Sequence, residues 1–176
     1  MAARAKSVEF ALIELTQSRI QQYRLRYVLA KLTQYIDQKA FDNPAHATLQ
    51  QYMDGAVHIE HILPQTPTAA VKESFDKPDQ YDEYVGKLGN LTLLEQTINT
   101  SMGNGCYADK RPCFEQSLFL LTKSLAKKPR VGIDTRLNRA VERLREFESW
   151  SSVAIEQRQD MLTELAKEVW LAELAA

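Results

Sequence analysis

Cysteine is scarce. The two that occur, Cys106 and Cys113, lie seven residues apart, which excludes a disulfide framework and a CxxC pair. With only three histidines in the chain, no four-ligand structural zinc set of Cys and His is expected. Long apolar runs are missing as well. No stretch approaches the roughly 20 residues of a membrane span, and the opening MAARAKSVEF is mixed and helix-compatible rather than a charged-then-apolar signal peptide. These absences point to the cytoplasm and leave no membrane among the expected partners. Repeats, low-complexity tracts and a Gly-rich phosphate loop are also lacking.

A large charge of one sign is absent too, but the net charge of -1 conceals blocks. Residues 1–39 balance at +4, 40–103 at -6, 104–145 at +6 and 146–176 at -5. A protein that relies on phosphate contacts is usually more basic overall. The acidic second block can instead attract a cation, and the basic third block can face a phosphate backbone. The ordinary alternative is that these lysines and arginines solvate helix faces.

At 176 residues the chain is long enough for one domain that buries roughly two-thirds of its unfolded surface. Its pattern is mostly helical. Residues 5–38 place Val8, Ala11, Leu12 and Leu15 on one face, then Ile20, Tyr23, Tyr27, Val28, Leu32, Tyr35 and Ile36 at helical spacing. This predicts a helical hairpin with the tyrosines packed in the core. Turn chemistry marks Asp42-Asn43-Pro44 and Asp54-Gly55, with a helical turn between and a solvated His46. VHIEHI has the β-branched alternation of a strand, ended by Leu63-Pro64. Residues 65–88 are an excursion with a short helix near Asp79 to Val85, and Asn90 to Leu94 form a second strand. Further helices are expected from Glu95, over Tyr107 to Leu121 with Phe114, Leu118 and Leu121 on one side, from Asp134 to Phe147, and from Ser151 or Ser152 to Leu171. Trp150 and Trp170 read as core.

The stretch from Val57 to Asn99 organises the rest. It combines Glu60-His61 and Pro64, then Asn90 opening an apolar run, then Asn99 nine residues later. Hydrolysis of a phosphodiester needs an activated water and a cation against the developing charge. His61 can accept the proton, since an imidazole titrates near neutrality. Glu60 and Asn99 offer one carboxylate and one amide oxygen, a sparse hard-oxygen set that suits Mg²⁺ better than Zn²⁺. Adjacent strand residues face opposite ways, so Glu60 and His61 share a site only where the strand ends or bulges. His58, on the face of Glu60, reads either as a further ligand or partner or as a packed strand histidine.

This spacing resembles the HNH, or ββα-metal, nucleases. The longer likeness is to the His-Xaa-Xaa-Pro nuclease domain at the C-terminus of GmrSD-type modification-dependent restriction endonucleases. It rests on IEHILPQT, LGNLTLL, Asn99, Lys110, Ser117, Trp150, Ile155, Arg158 and Trp170. The resemblance implies a mainly α fold: a helical domain with an embedded small ββα-metal (HNH) unit. Residues 1–176 would form a single nuclease domain with helices over 1–55, the ββα-metal core over 56–117 and C-terminal helices over 118–176.

The resemblance further implies catalytic roles for His61, Asn90 and Lys110. His61 would be the general base, Asn90 would hold the loop and the base, and Lys110 would touch the scissile phosphate. Glu60 and Asn99 would bind Mg²⁺ or Mn²⁺. Lys110, Arg111, Lys127, Lys128 and Arg130 would contact DNA, although Lys110 also reads as an ordinary solvated lysine. Glu at position 60 and Asn at position 99 depart from the more usual Asp and His of the group. The implied activity is cutting or nicking of phage or other foreign DNA in a restriction or phage-defence system. A nucleotide-hydrolysing sensor domain would precede it, making this chain a fragment or the effector half of a larger protein. The competing expectation is a catalytically silent helical module of the same fold, binding DNA or protein through residues 104–145.

Overall fold

The computed structural model describes residues 22–41 and 48–175. The expected helix carrying Val8 to Leu15, the turn at residues 42–44 and His46 fall outside the described residues. Helix α1 (Gln22–Phe41) and the short α2 (Leu49–Met53) lead into strand β1 (Val57–His61). Helices α3 (Ala69–Ser74) and α4 (Tyr81–Val85) fill the excursion before β2 (Leu91–Glu95). There follow α5 (Gln96–Met102), α6 (Tyr107–Gln116), α7 (Leu120–Ala126), α8 (Arg136–Val141) and α9 (Ser152–Ala175). The described residues are thus mainly helical around one two-stranded antiparallel sheet.

α1 forms where leucines repeat at helical spacing. Leu25, Leu29, Leu32 and Ile36 are buried and join Leu91, Leu93, Leu121 and Leu162 in the largest apolar cluster. Each such side chain contributes on the order of 1.5–3 kcal/mol when it leaves water. Tyr23 departs from the expected row: it is 70% exposed, because it precedes the first buried turn of the helix. The sheet lies against this cluster, with Leu91, Thr92, Leu93 and Leu94 all buried. Register pairs His58 with Leu94, Glu60 with Thr92 and His61 with Leu91. Asn90 is therefore not the first residue of β2 but the last of a 3-10 turn, Leu88–Asn90. That turn presses on α9 so closely that a Cβ on Gly89 would lie 2.2 Å from the Ile155 carbonyl. Only glycine fits there.

Three sequence expectations need correction. The helix beginning at Tyr107 stops at Gln116, and Leu118 is 76% exposed rather than aligned with Phe114. The cause is remote in sequence. Ser117 Oγ donates to Glu95 Oε2 (2.9 Å) and the Leu118 amide to Glu95 Oε1 (2.7 Å). Asp37 then accepts from the Leu120 amide (3.1 Å) at the start of α7. Next, Thr135 and not Asp134 caps α8, accepting from the Asn138 amide (3.3 Å). That helix ends at Val141, and beyond it the Phe147 amide donates to the Leu125 carbonyl (2.9 Å). Finally, α3 is an additional helix in the excursion, capped by Thr68 Oγ1.

Candidate hydrolytic site on the hairpin

The hairpin followed directly by α5 gives the order strand, strand, helix. Cross-strand register and alternation put His58 and Glu60 on one face with Thr92 and Leu94. That face is covered by α5 and α6. From α5, the Asn99 carboxamide nitrogen meets His58 Nδ1 at 3.1 Å. From α6, Lys110 Nζ donates to Glu60 Oε1 at 2.6 Å and to the His61 carbonyl at 2.7 Å.

Lys110 is only 1% exposed, which corrects its reading as a solvated lysine. A buried ammonium persists only when paired and hydrogen-bonded, and the two acceptors at the end of β1 supply both. Burial pushes the Glu60 carboxyl above its ordinary value, and the Lys110 charge and hydrogen bond partly oppose that rise. The His61 imidazole is pushed down to about 4, first by burial and then by the Lys110 charge. At neutral pH it is therefore uncharged, and a weaker base than an ordinary imidazole.

His61 is the last residue of β1, half-buried, and by alternation leaves the strand on the side opposite Glu60. Asn90 fixes the backbone just beyond it. The Asn90 carbonyl accepts from the Ile62 amide (3.0 Å), and Asn90 Oδ1 accepts from the Leu63 amide (2.7 Å) and from Trp150 Nε1 (2.9 Å). Asn90 Nδ2 donates to the carbonyls of Leu63 (3.0 Å) and Val85 (3.1 Å). Both donor and both acceptor capacities of this amide are used. Tyr81 adds a hydrogen bond to the Pro64 carbonyl (2.9 Å), and Arg158 Nη1 clamps the carbonyls of Gly89 and Leu91, each at 2.7 Å.

The structure thus brings Glu60, Lys110 and the His61 backbone together, and Asn99 with His58. Asn90 lies in the interior as the staple of the turn. Arg111 points away from Glu60, donating to the Ala126 carbonyl (3.1 Å) and pairing with Glu148 (3.0 Å). Lys127, Lys128 and Arg130 lie beyond α7 in the connection to α8. Trp150 and Arg158 are more than core: both hold the hairpin. Their only signal in the sequence was their place in the family likeness, and pattern alone gave Trp150 as packing.

Among the described residues no group of three His, Cys, Asp or Glu is arranged to hold a metal ion. The Glu60 carboxylate and the Asn99 amide have different partners, Lys110 and His58; hard oxygen donors of this kind suit a cation that keeps several waters better than a closed zinc cage would. A cleft of about 540 Å³ lies elsewhere, between α1, α8 and α9, and holds none of these residues.

The profile of a family described as GmrSD restriction endonucleases, C-terminal domain, matches residues 3–165. The chain belongs to this family. That places it with the nuclease domains of restriction endonucleases. No curated protein and no solved structure matches the chain. No helix among the described residues of this GmrSD C-terminal domain is long and apolar enough to cross a membrane.

Proposed function

We propose that this GmrSD C-terminal domain is a metal-dependent DNA endonuclease whose β1, β2 and α5 form a ββα-metal (HNH) unit. The observation that carries the reading is the placement of the motif. Glu60 and His61 fall on β1, Asn90 in the turn that opens β2 and Asn99 on α5, where it meets His58 on the strand face that also carries Glu60. His61 takes a proton from the attacking water, a role for which an uncharged imidazole is suited and which is worth roughly 10²- to 10⁴-fold in rate. Glu60 and Asn99 hold Mg²⁺ or Mn²⁺. When bound, the cation stabilises charge developing on the phosphate oxygens.

Lys110 acts from behind Glu60. It fixes the carboxylate and the His61 backbone carbonyl to one ammonium, tying the end of β1 to α6. Asn90 holds Leu63, two residues past the base, in place. Arg111, Lys127, Lys128 and Arg130 line the approach of the DNA backbone. A nucleotide-hydrolysing sensor domain, in the same polypeptide or a partner, selects foreign DNA in a restriction or phage-defence system.

One observation favours the competing reading, a catalytically silent binding module: Lys110 already neutralises Glu60. Supercoiled plasmid with Mg²⁺ or Mn²⁺ separates the two. Nicking or linearisation by the wild type, lost in His61→Ala and in chelator, is expected. Equal cleavage by both proteins removes His61 from the mechanism, and no cleavage by either leaves the silent module.

A further inference from the structure

The connection between α7 and α8 carries an arrangement that the hydrolytic centre does not explain. Ile133 is 97% exposed and Val131 61% exposed, on either side of Gly132 at the tip of the loop. Apolar side chains this open are ordinary when scattered, but these two are presented by a built structure. Gly132 and Asp134 both have positive φ, 61° and 49°, a conformation that costs a non-glycine residue energy. Asn138 staples the loop from α8. Its Oδ1 accepts from the Val131 amide (3.0 Å), and its Nδ2 donates to the carbonyls of Val131 and Gly132, each at 3.3 Å. Arg139 holds Asp134 by its carbonyl and by its carboxylate (3.0 Å). Glu146 receives the Lys128 amide (2.6 Å).

The rim is cationic. Residues 127–139 hold five basic side chains and one acidic one, Asp134, which Arg139 already neutralises. Lys127 and Arg130 have no carboxylate partner among the described residues. An exposed apolar tip in a basic segment, with Lys127 and Arg130 lacking a carboxylate partner among the described residues, matches a double helix, which offers phosphates at its edges and stacked bases within its groove. An anionic bilayer offers charge and apolar depth too. However, the acidic blocks that flank this segment, -6 and -5, would face a whole charged plane there.

We propose that the Val131–Ile133 tip is a wedge that enters a groove of duplex DNA, with Ile133 against a base step and Lys127 and Arg130 on the flanking phosphates. The inference rests on DNA being the substrate and deepens that reading. The wedge would bend or open the duplex near the cut and set which steps are favoured, because flexible pyrimidine–purine steps deform at the least cost.

The test uses a short duplex carrying 2-aminopurine, with the full chain in a His61→Ala background so that the DNA stays intact. Binding with a rise in 2-aminopurine fluorescence is expected. A Val131→Ser/Ile133→Ser variant should bind about tenfold more weakly and lose the rise, with its salt dependence unchanged. Lys127→Ala/Arg130→Ala should keep the rise at saturation, while the log–log salt slope falls by about two. All these side chains are exposed, so melting temperatures should not move. The proposal is overturned if the serine variant matches its parent in affinity and fluorescence, if the parent does not bind the duplex, or if the serine variant loses only binding to phosphatidylserine vesicles. Wild type that binds with the fluorescence rise yet never cleaves plasmid would sink the nuclease reading and leave the wedge standing.

Discussion

Asn90 and Asn99 are the same residue type nine positions apart, and the fold uses them in opposite ways. Asn90 is sealed in the interior with its amide making four hydrogen bonds, to Leu63 twice, to Val85 and to Trp150. Asn99 is half-buried on α5 with one contact, to His58. A saturated amide fixes backbone; an amide with spare capacity can take a ligand. The same division runs through the hairpin. On one strand face, Glu60 is closed off by the buried Lys110, whereas His58 and Asn99 are half-buried.

Breaking the closed half should cost the most. Lys110→Met leaves the buried Glu60 carboxylate without its partner, an expected loss of about 3–5 kcal/mol in unfolding free energy by urea titration. Adding Glu60→Gln should recover part of that loss, since the uncompensated charge is then gone. Asn90→Ala strands four polar groups of Leu63, Val85 and Trp150 and should cost about 4 kcal/mol, the low end of roughly 1–3 kcal/mol for each group left unpaired. In a chain of this size that lowers the melting temperature by about 8–16 °C in calorimetry.

The open half should behave differently. Asn99→Ala is expected to change stability by less than about 1 kcal/mol, because its one contact is partly solvated. Equal destabilisation by Asn90→Ala and Asn99→Ala would erase the distinction.

The last effect is in pH. His61 titrates at about 4 in the folded chain against an ordinary 6.5. Between those values the unfolded chain binds a proton that the folded one refuses, so stability present above pH 6.5 is lost as pH falls towards 4. Asp37, raised to about 6 by burial, works the other way: it holds its proton in the fold, and its contribution is lost as pH rises through 6. Melting curves should show acid sensitivity flattened in His61→Asn and sharpened in Asp37→Asn.

Much of this was legible in the sequence. The periodic leucines of α1 and α9 located those helices, the alternation of VHIEHI located β1, and the Asn-Leu run located β2 within one residue. Spacing singled out Glu60, His61, Asn90 and Asn99, and the structure sets Asn90 in the turn before β2 and Asn99 against His58. What stayed hidden depends on partners far away in the chain. Lys110 looks solvated until Glu60, 50 residues earlier, is folded against it. The helix from Tyr107 reads as continuous because nothing local shows that Glu95 will take the Ser117 and Leu118 donors. Asp134 looks like a cap until Arg139 claims it and Thr135 takes the role. Periodicity encodes which face is buried; it does not encode which remote carboxylate interrupts a helix.

Calorimetric titration of the chain with Mn²⁺ tests most directly whether Asn99, with its spare capacity, takes a ligand. Uptake of a cation by the wild type is expected, weakened at least about tenfold, or 1.4 kcal/mol, in both Asn99→Ala and Glu60→Ala. No uptake by the wild type, or identical uptake by all three proteins, would contradict it.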